Sequence, residues 1–197
     1  MRKLISIVGA SGVGKTTFVN TLAKTGRFAT AFEQHAERPF QSLFKQDKQY
    51  ALANQMDYLL LRAEQEKQLR ASDKIGLMDG GLDLDVRGVT RLFRHRGLRT
   101  HPEFDLCLRL YTLLRELLPP PDLIVVLSAS QITIEGRLAS RRRINIASAQ
   151  DAELMDGFIR EWLESISPEK ILRIDASNED ENYSGAASRL FERIESG

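Results

Sequence analysis

The chain has a single cysteine, Cys107, in 197 residues. That excludes an internal disulfide and a cysteine-based zinc site. It has three histidines, His35, His95 and His101, and their positions show no ligand-like spacing. No apolar run approaches the ~18 residues of a membrane span. The opening Met1-Arg2-Lys3 and its short apolar stretch resemble a secretory signal only briefly, because Gly9 to Lys15 break the stretch. The expected compartment is therefore the cytoplasm, with no membrane partner. Charge of neither sign dominates: 28 Lys and Arg face 27 Asp and Glu, a net charge of +1. Such a chain makes no global field for nucleic acid or an anionic surface, so no nucleic-acid partner is expected. An Asn-Lys-x-Asp guanine-reading motif is also missing, and Asp79-Gly80-Gly81 is only superficially like a GTPase switch. With neither repeat nor low-complexity linker, residues 1–197 read as one domain with a sizeable core.

What is present begins with Gly9-Ala10-Ser11-Gly12-Val13-Gly14-Lys15-Thr16, directly after the apolar run Leu4–Val8. This is a full match to the phosphate-binding pattern G-x-x-x-x-G-K-[ST] in its strand–loop–helix context. Glycines let the backbone N–H groups close around a phosphate. A helix from Lys15 to Lys24 aims its positive end at the same place. Lys15 reaches the terminal phosphates and Thr16 can ligate Mg²⁺. Gly9 through Thr17 are thus the ATP-binding candidates.

Strand-like segments at Leu4–Val8, Phe28–Phe32, Ile75–Met78, Leu123–Leu127 and Ile171–Ile174 alternate with helical ones. That alternation predicts an α/β fold, a five-stranded parallel sheet flanked by helices. Glu33 and Asp79 each follow a strand end, on the edge where ligands bind in such folds. Asp47–Leu69 reads as a long helix with an apolar stripe of Leu52, Met56, Leu59 and Ala63. Gln55 and Arg62 project from nearly one side of it. Further helices are expected at Glu103–Leu118, stopped by Pro119-Pro120-Pro121, and at Asp151–Ser165, with Trp162 as core or interface. Arg137, Arg141, Arg142 and Arg143, followed by a polar stretch, suggest a basic lid over about residues 137–150.

Phosphoryl transfer to a hydroxyl needs a carboxylate base, a carboxylate near Mg²⁺ and cations to neutralise charge. Glu33, Asp79 and the arginines are the candidates. Each also has a plainer reading, as a surface carboxylate, a turn cap before Gly80 and a solvated helix end.

From the P-loop to about Leu163 the residues look like the deoxynucleoside kinases, within the thymidylate-kinase-like P-loop group. Glu37-Arg38-Pro39-Phe40-Gln41-Ser42-Leu43-Phe44, continuing to Gln55–Arg62, is similar to the family's segment. Arg137, Arg141 and Arg143 fall at its lid spacing. The resemblance implies that ATP is the phosphoryl donor and that Mg²⁺ sits at Thr16 and Asp79. It implies that Glu33 is base toward the 5′-hydroxyl and that Lys15, Arg137, Arg141 and Arg143 handle the phosphates. Glu33, Phe44, Gln55, Tyr58, Arg62 and Asp85 would meet a nucleoside acceptor, with Gln55 on the base edge and Asp85 holding Arg62. Residues Asp175 to Asn178 would border the adenine. Related kinases are commonly homodimers, and Asp47–Leu69 and Glu103–Leu118 are the expected interface.

Three positions depart from the family. Gly80 stands where an arginine follows the acidic residue, Phe44 where many members have tyrosine, and Arg38 where they have asparagine. The nucleotide side is ordinary and the acceptor side is not. Two other readings stay open: a thymidylate-type nucleoside monophosphate kinase, and a nucleotide-binding regulatory protein with little transfer.

Overall fold

The computed structural model describes residues 3–32, 38–139, 149–180 and 182–196. Its centre is five parallel strands, β1 (Leu4–Val8), β2 (Phe28–Ala31), β3 (Ile75–Asp79), β4 (Leu123–Ser128) and β5 (Ile171–Asp175), in the order β2-β3-β1-β4-β5. β1, flanked by β3 and β4, is buried throughout. Strands covered on both faces need no polar side, which is why Leu4–Val8 reads as one apolar run.

Alternate residues serve opposite faces. Ile5 and Ile7 pack with Phe18, Val19 and Leu22 of α1 (Lys15–Lys24) and Leu190 of α9 (Ser184–Glu195). Val8, Ile124 and Val126 pack with Met155, Ile159 and Trp162 of α8 (Ala149–Leu163). Trp162 is thus core. On that second face Leu4 and Met78 also meet Leu69 of α3 (Ala51–Ala71).

α3 starts later than the apolar pattern implies. Asp47 accepts from the Gln49 amide at 2.9 Å and caps a separate 3₁₀ turn, Lys48–Tyr50. Leu59 and Ala63 of the stripe are buried, with Leu52 and Met56 partly so. Besides α9, two helical stretches lie where the pattern gives none. α2 (Pro39–Gln46) opens on a proline at its first position, and Leu82–Leu84 (α4) runs through a π-helical segment, Asp85–Thr90, into α5 (Arg91–His95). α6 (His101–Leu117) begins in a capping box between Thr100 and Glu103, and α7 (Gln131–Ala139) follows β4. No helix among the described residues is long and apolar enough to cross a membrane. His95 and His101 are exposed.

Candidate active site

The loop after β1 turns on glycines with φ of 149°, 91° and 103° at Gly9, Gly12 and Gly14. Gly14 also has no room: a Cβ there would overlap the Tyr183 hydroxyl and lie 2.8 Å from its ring carbon Cζ. Tyr183 itself has φ 52° at the start of α9, is buried, and rests its ring 5.8 Å from Phe18. Burial pushes its phenol up from the usual value. Beneath Gly12, Ile134 and Leu138 of α7 close the packing. Arg137 ties the loop to the end of β5, donating from Nη1 to Val13 O and from Nη2 to Ala176 O, both at 2.8 Å. Ala176, directly after β5, is thereby joined through Arg137 to Val13 of the P-loop.

Lys15 Nζ folds over the loop rim, donating to Gly9 O at 2.9 Å and Ala10 O at 3.0 Å. One residue on, the Thr16 hydroxyl donates to Asp79 Oδ2 at 2.6 Å. Pairing of Ile7 with Asp79 across β1 and β3 brings these two together. Asp79 is fully buried, and its Oδ1 has no hydrogen-bond partner among the described residues. Thr17 is exposed in the first turn of α1.

α3 supplies Gln55 and Arg62, both buried. Arg62 Nε donates to Asp85 Oδ2 at 3.0 Å and Nη1 to Gln65 Oε1 at 3.1 Å. Gln65 Nε2 then reaches Phe32 O, also at 3.1 Å, anchoring the end of β2. Tyr58 sits partly buried one turn beyond Gln55. Phe44 of α2 lays its ring 5.7 Å from Phe93. Gly80 has φ 80°, and a Cβ there would stand 3.5 Å from Arg62 Nη2. Arg38 is occupied by Asp57 in an ion pair.

Glu33, Arg141 and Arg143, with Arg142, lie outside the described residues. Sequence reasoning missed Gln65, Arg99 and Tyr183, which act through contacts with distant segments. It also missed a buried cluster behind Arg62. There Arg115 Nη1 donates to Glu66 Oε1 at 2.9 Å and Nη2 to Asp83 Oδ2 at 2.7 Å. Arg70 adds a second bond to Glu66 at 2.9 Å, and Tyr111 a bond to Asp83 at 2.6 Å. The buried carboxylates hold the Arg115 guanidinium above its usual pKa, against desolvation, which acts to lower it.

A P-loop, a buried carboxylate on its threonine and a glutamine–arginine pair on the facing helix define a nucleotide-handling kinase of the P-loop class. The deoxynucleoside kinase family model matches residues 5–196, and the chain belongs to that family. It is 24% identical over 147 residues to a deoxyadenosine/deoxycytidine kinase of Bacillus subtilis. The match spans 71% of this chain and 66% of that relative's length, just under two thirds. Among solved structures, deoxyadenosine kinase from M. mycoides with bound dATP superposes with a TM-score of 0.79 at 19% identity, covering 99% of this chain and 100% of that one. The same enzyme with product dCMP and a flexible dCDP gives a TM-score of 0.78 at 20% identity, over 96% and 99% of the two chains. At these identities the superpositions establish the fold.

Proposed function

We propose that the protein is a deoxynucleoside kinase that carries the γ-phosphoryl of ATP to the 5′-hydroxyl of a deoxynucleoside. The observation that carries this reading is the Thr16–Asp79 pair: a buried carboxylate beside the phosphate loop, one oxygen on the threonine hydroxyl and the other idle. The idle oxygen and the hydroxyl are hard donors that suit Mg²⁺, which when bound supplies positive charge against the phosphates. Lys15 leaves the loop carbonyls for the β- and γ-phosphates. Glu33, the next residue after Phe32, takes the proton of the 5′-hydroxyl. The 5′-oxygen bonds to the γ-phosphorus, and the bridging oxygen departs with ADP. Arg137, Arg141 and Arg143 offset the charge of the transferring group.

Gln55 and Arg62, steadied by Asp85, meet the base, with Tyr58 and Phe44 beside the sugar. Phe44 has no hydroxyl to offer a 3′-hydroxyl. Gly80 supplies no charge where the family has an arginine, and a Cβ there would stand 3.5 Å from Arg62 Nη2. The commitment of Arg38 to Asp57 favours a nucleoside over a monophosphate acceptor. Exposed leucines on α3 and α6 support a homodimer, and the lone thiol of Cys107, buried and unbridged, suits the cytoplasm.

ADP release with Mg-ATP, measured against nucleosides and nucleoside monophosphates, tests the proposal. Stimulation by a nucleoside, reduced about 100-fold or more in Lys15→Ala and Glu33→Gln, is the expected result. Tight ATP binding with no acceptor stimulating release overturns it in favour of a regulatory protein. Stimulation by monophosphates alone overturns the acceptor class.

A further inference from the structure

Arg99 has no place in the proposal above, yet it is as enclosed as Arg62, each 2% exposed. Unlike Arg62 it has no carboxylate within ion-pair distance among the described residues. Among the described residues its one side-chain hydrogen bond runs from Nη2 to Gln55 Oε1 at 3.2 Å. Nε and Nη1 are buried and have no hydrogen-bond partner there. The guanidinium lies 5.2 Å from the ring centre of Phe93, and Phe93 in turn touches Phe44. Arg99 therefore sits among the residues read here as facing the base and the sugar.

A guanidinium has donors only. The Gln55 atom that faces it must be the amide oxygen, because the NH₂ group would set donor against donor. Gln55 Nε2 is itself buried without a hydrogen-bond partner among the described residues. Two side chains joined by one hydrogen bond thus hold three donor nitrogens with no partner among those residues: Gln55 Nε2, Arg99 Nε and Arg99 Nη1. The idle acceptor next in sequence, Asn54 Oδ1, is about 100° around the helix and faces elsewhere. Leaving donors buried and unmet is costly, more so when one is charged. Burial also holds the Arg99 pKa below that of an ordinary arginine. An exocyclic amine would bring further donors to this spot, whereas a carbonyl oxygen brings two lone pairs.

We propose that Arg99 sets base selectivity by fixing the Gln55 amide and adding its own donors. Together they select a base with a carbonyl oxygen, a 6-oxopurine or 4-oxopyrimidine, over its amino counterpart. This rests on the kinase reading of the same site. The test is kcat/KM with Mg-ATP for deoxyinosine against deoxyadenosine and for deoxyuridine against deoxycytidine, with binding of the same nucleosides measured by calorimetry.

The oxo member is expected to win by about tenfold or more in whichever pair is accepted. In Arg99→Met that ratio falls toward one. A variant that merely packs less well lowers both members alike, so the ratio isolates selectivity. If Arg99→Met does not fold, the wild-type ratio decides alone. Wild-type preference for the amino members overturns the inference, as does a ratio unchanged in Arg99→Met. Oxo-selective binding without transfer keeps it and defeats the kinase reading, while binding of none of the four nucleosides defeats both.

Discussion

Single residues hold the phosphate loop open, and Gly14 shows how. Two constraints meet there: φ of 103° and a tyrosine ring where a Cβ would go. A positive φ costs an L-residue about 1–3 kcal/mol. The overlap with Tyr183 must be relieved in addition, by moving a ring already packed on Phe18. Gly14→Ala is therefore expected to cost about 2 kcal/mol or more in urea unfolding. Tyr183→Leu removes the obstructing ring and leaves the φ strain. The double variant should then be less destabilised than the sum of the two single ones. Strict additivity across that cycle would show that the ring is not the obstacle. Gly80 is a milder case, since its added Cβ would meet Arg62 and Leu84 only at van der Waals distance.

At the scale of elements, hydrophobic period and glycine punctuation made most of the sheet legible. The five strands fall where apolar runs are bounded by breakers, and Asp79 was placed at a strand end by the same pattern. α2 was hidden because Pro39 looks like a break, although at the first helical position its missing N–H costs nothing. The Leu82–His95 stretch was hidden because Gly80-Gly81 suggests a loop and a π-helical segment has no sequence period of its own. Gln55 and Arg62 could be placed by spacing, but Arg99 and Tyr183 could not. Their partners are 44 residues away in one case and near the other end of the sequence in the other.

The start of α6 gives an element-level prediction in pH. Glu103 Oε2 accepts from the Thr100 amide and hydroxyl, both at 2.7 Å, and these bonds hold its carboxyl below the ordinary carboxylate range. The folded pKa is depressed, so the contribution is present above the unfolded pKa and is lost as pH falls through the folded one. In thermal melts the wild type should exceed Glu103→Gln at pH 7. The gap should shrink as pH drops below about 4, the ordinary range for a glutamate. A gap that is constant with pH would mean that the carboxylate charge plays no part in the cap.

At the scale of the whole molecule, α3 and α6 carry large apolar side chains that the described residues leave exposed. Leu60 on α3 is 49% exposed, and on α6 Leu106, Leu113 and Leu117 are 43%, 55% and 72% exposed. The three on α6 are spaced seven and four apart, which puts them on one side of the helix. Their neighbours Leu110 and Tyr111 lean instead toward the buried cluster around Leu59 and Cys107. α6 thus has an inner apolar face that holds the fold and an outer one that nothing among the described residues covers. The inner contacts and the Arg115–Glu66 ion pair lock α6 to α3, so the α6 leucines stand on a fixed helix. Such a surface suits an isologous contact, in which each copy offers the same patch. Leu113→Glu, at a position already exposed, should leave the fold and its melting temperature nearly unchanged while placing two like charges close to the symmetry axis. Sedimentation should then give a dimer for the wild type and a monomer for the variant. The base-selective site around Gln55 lies on the same α3 helix, so transfer activity in the monomer would show whether the helix pair needs its partner to hold that site. A wild type that sediments as a monomer at micromolar concentration would leave these leucines to some other partner.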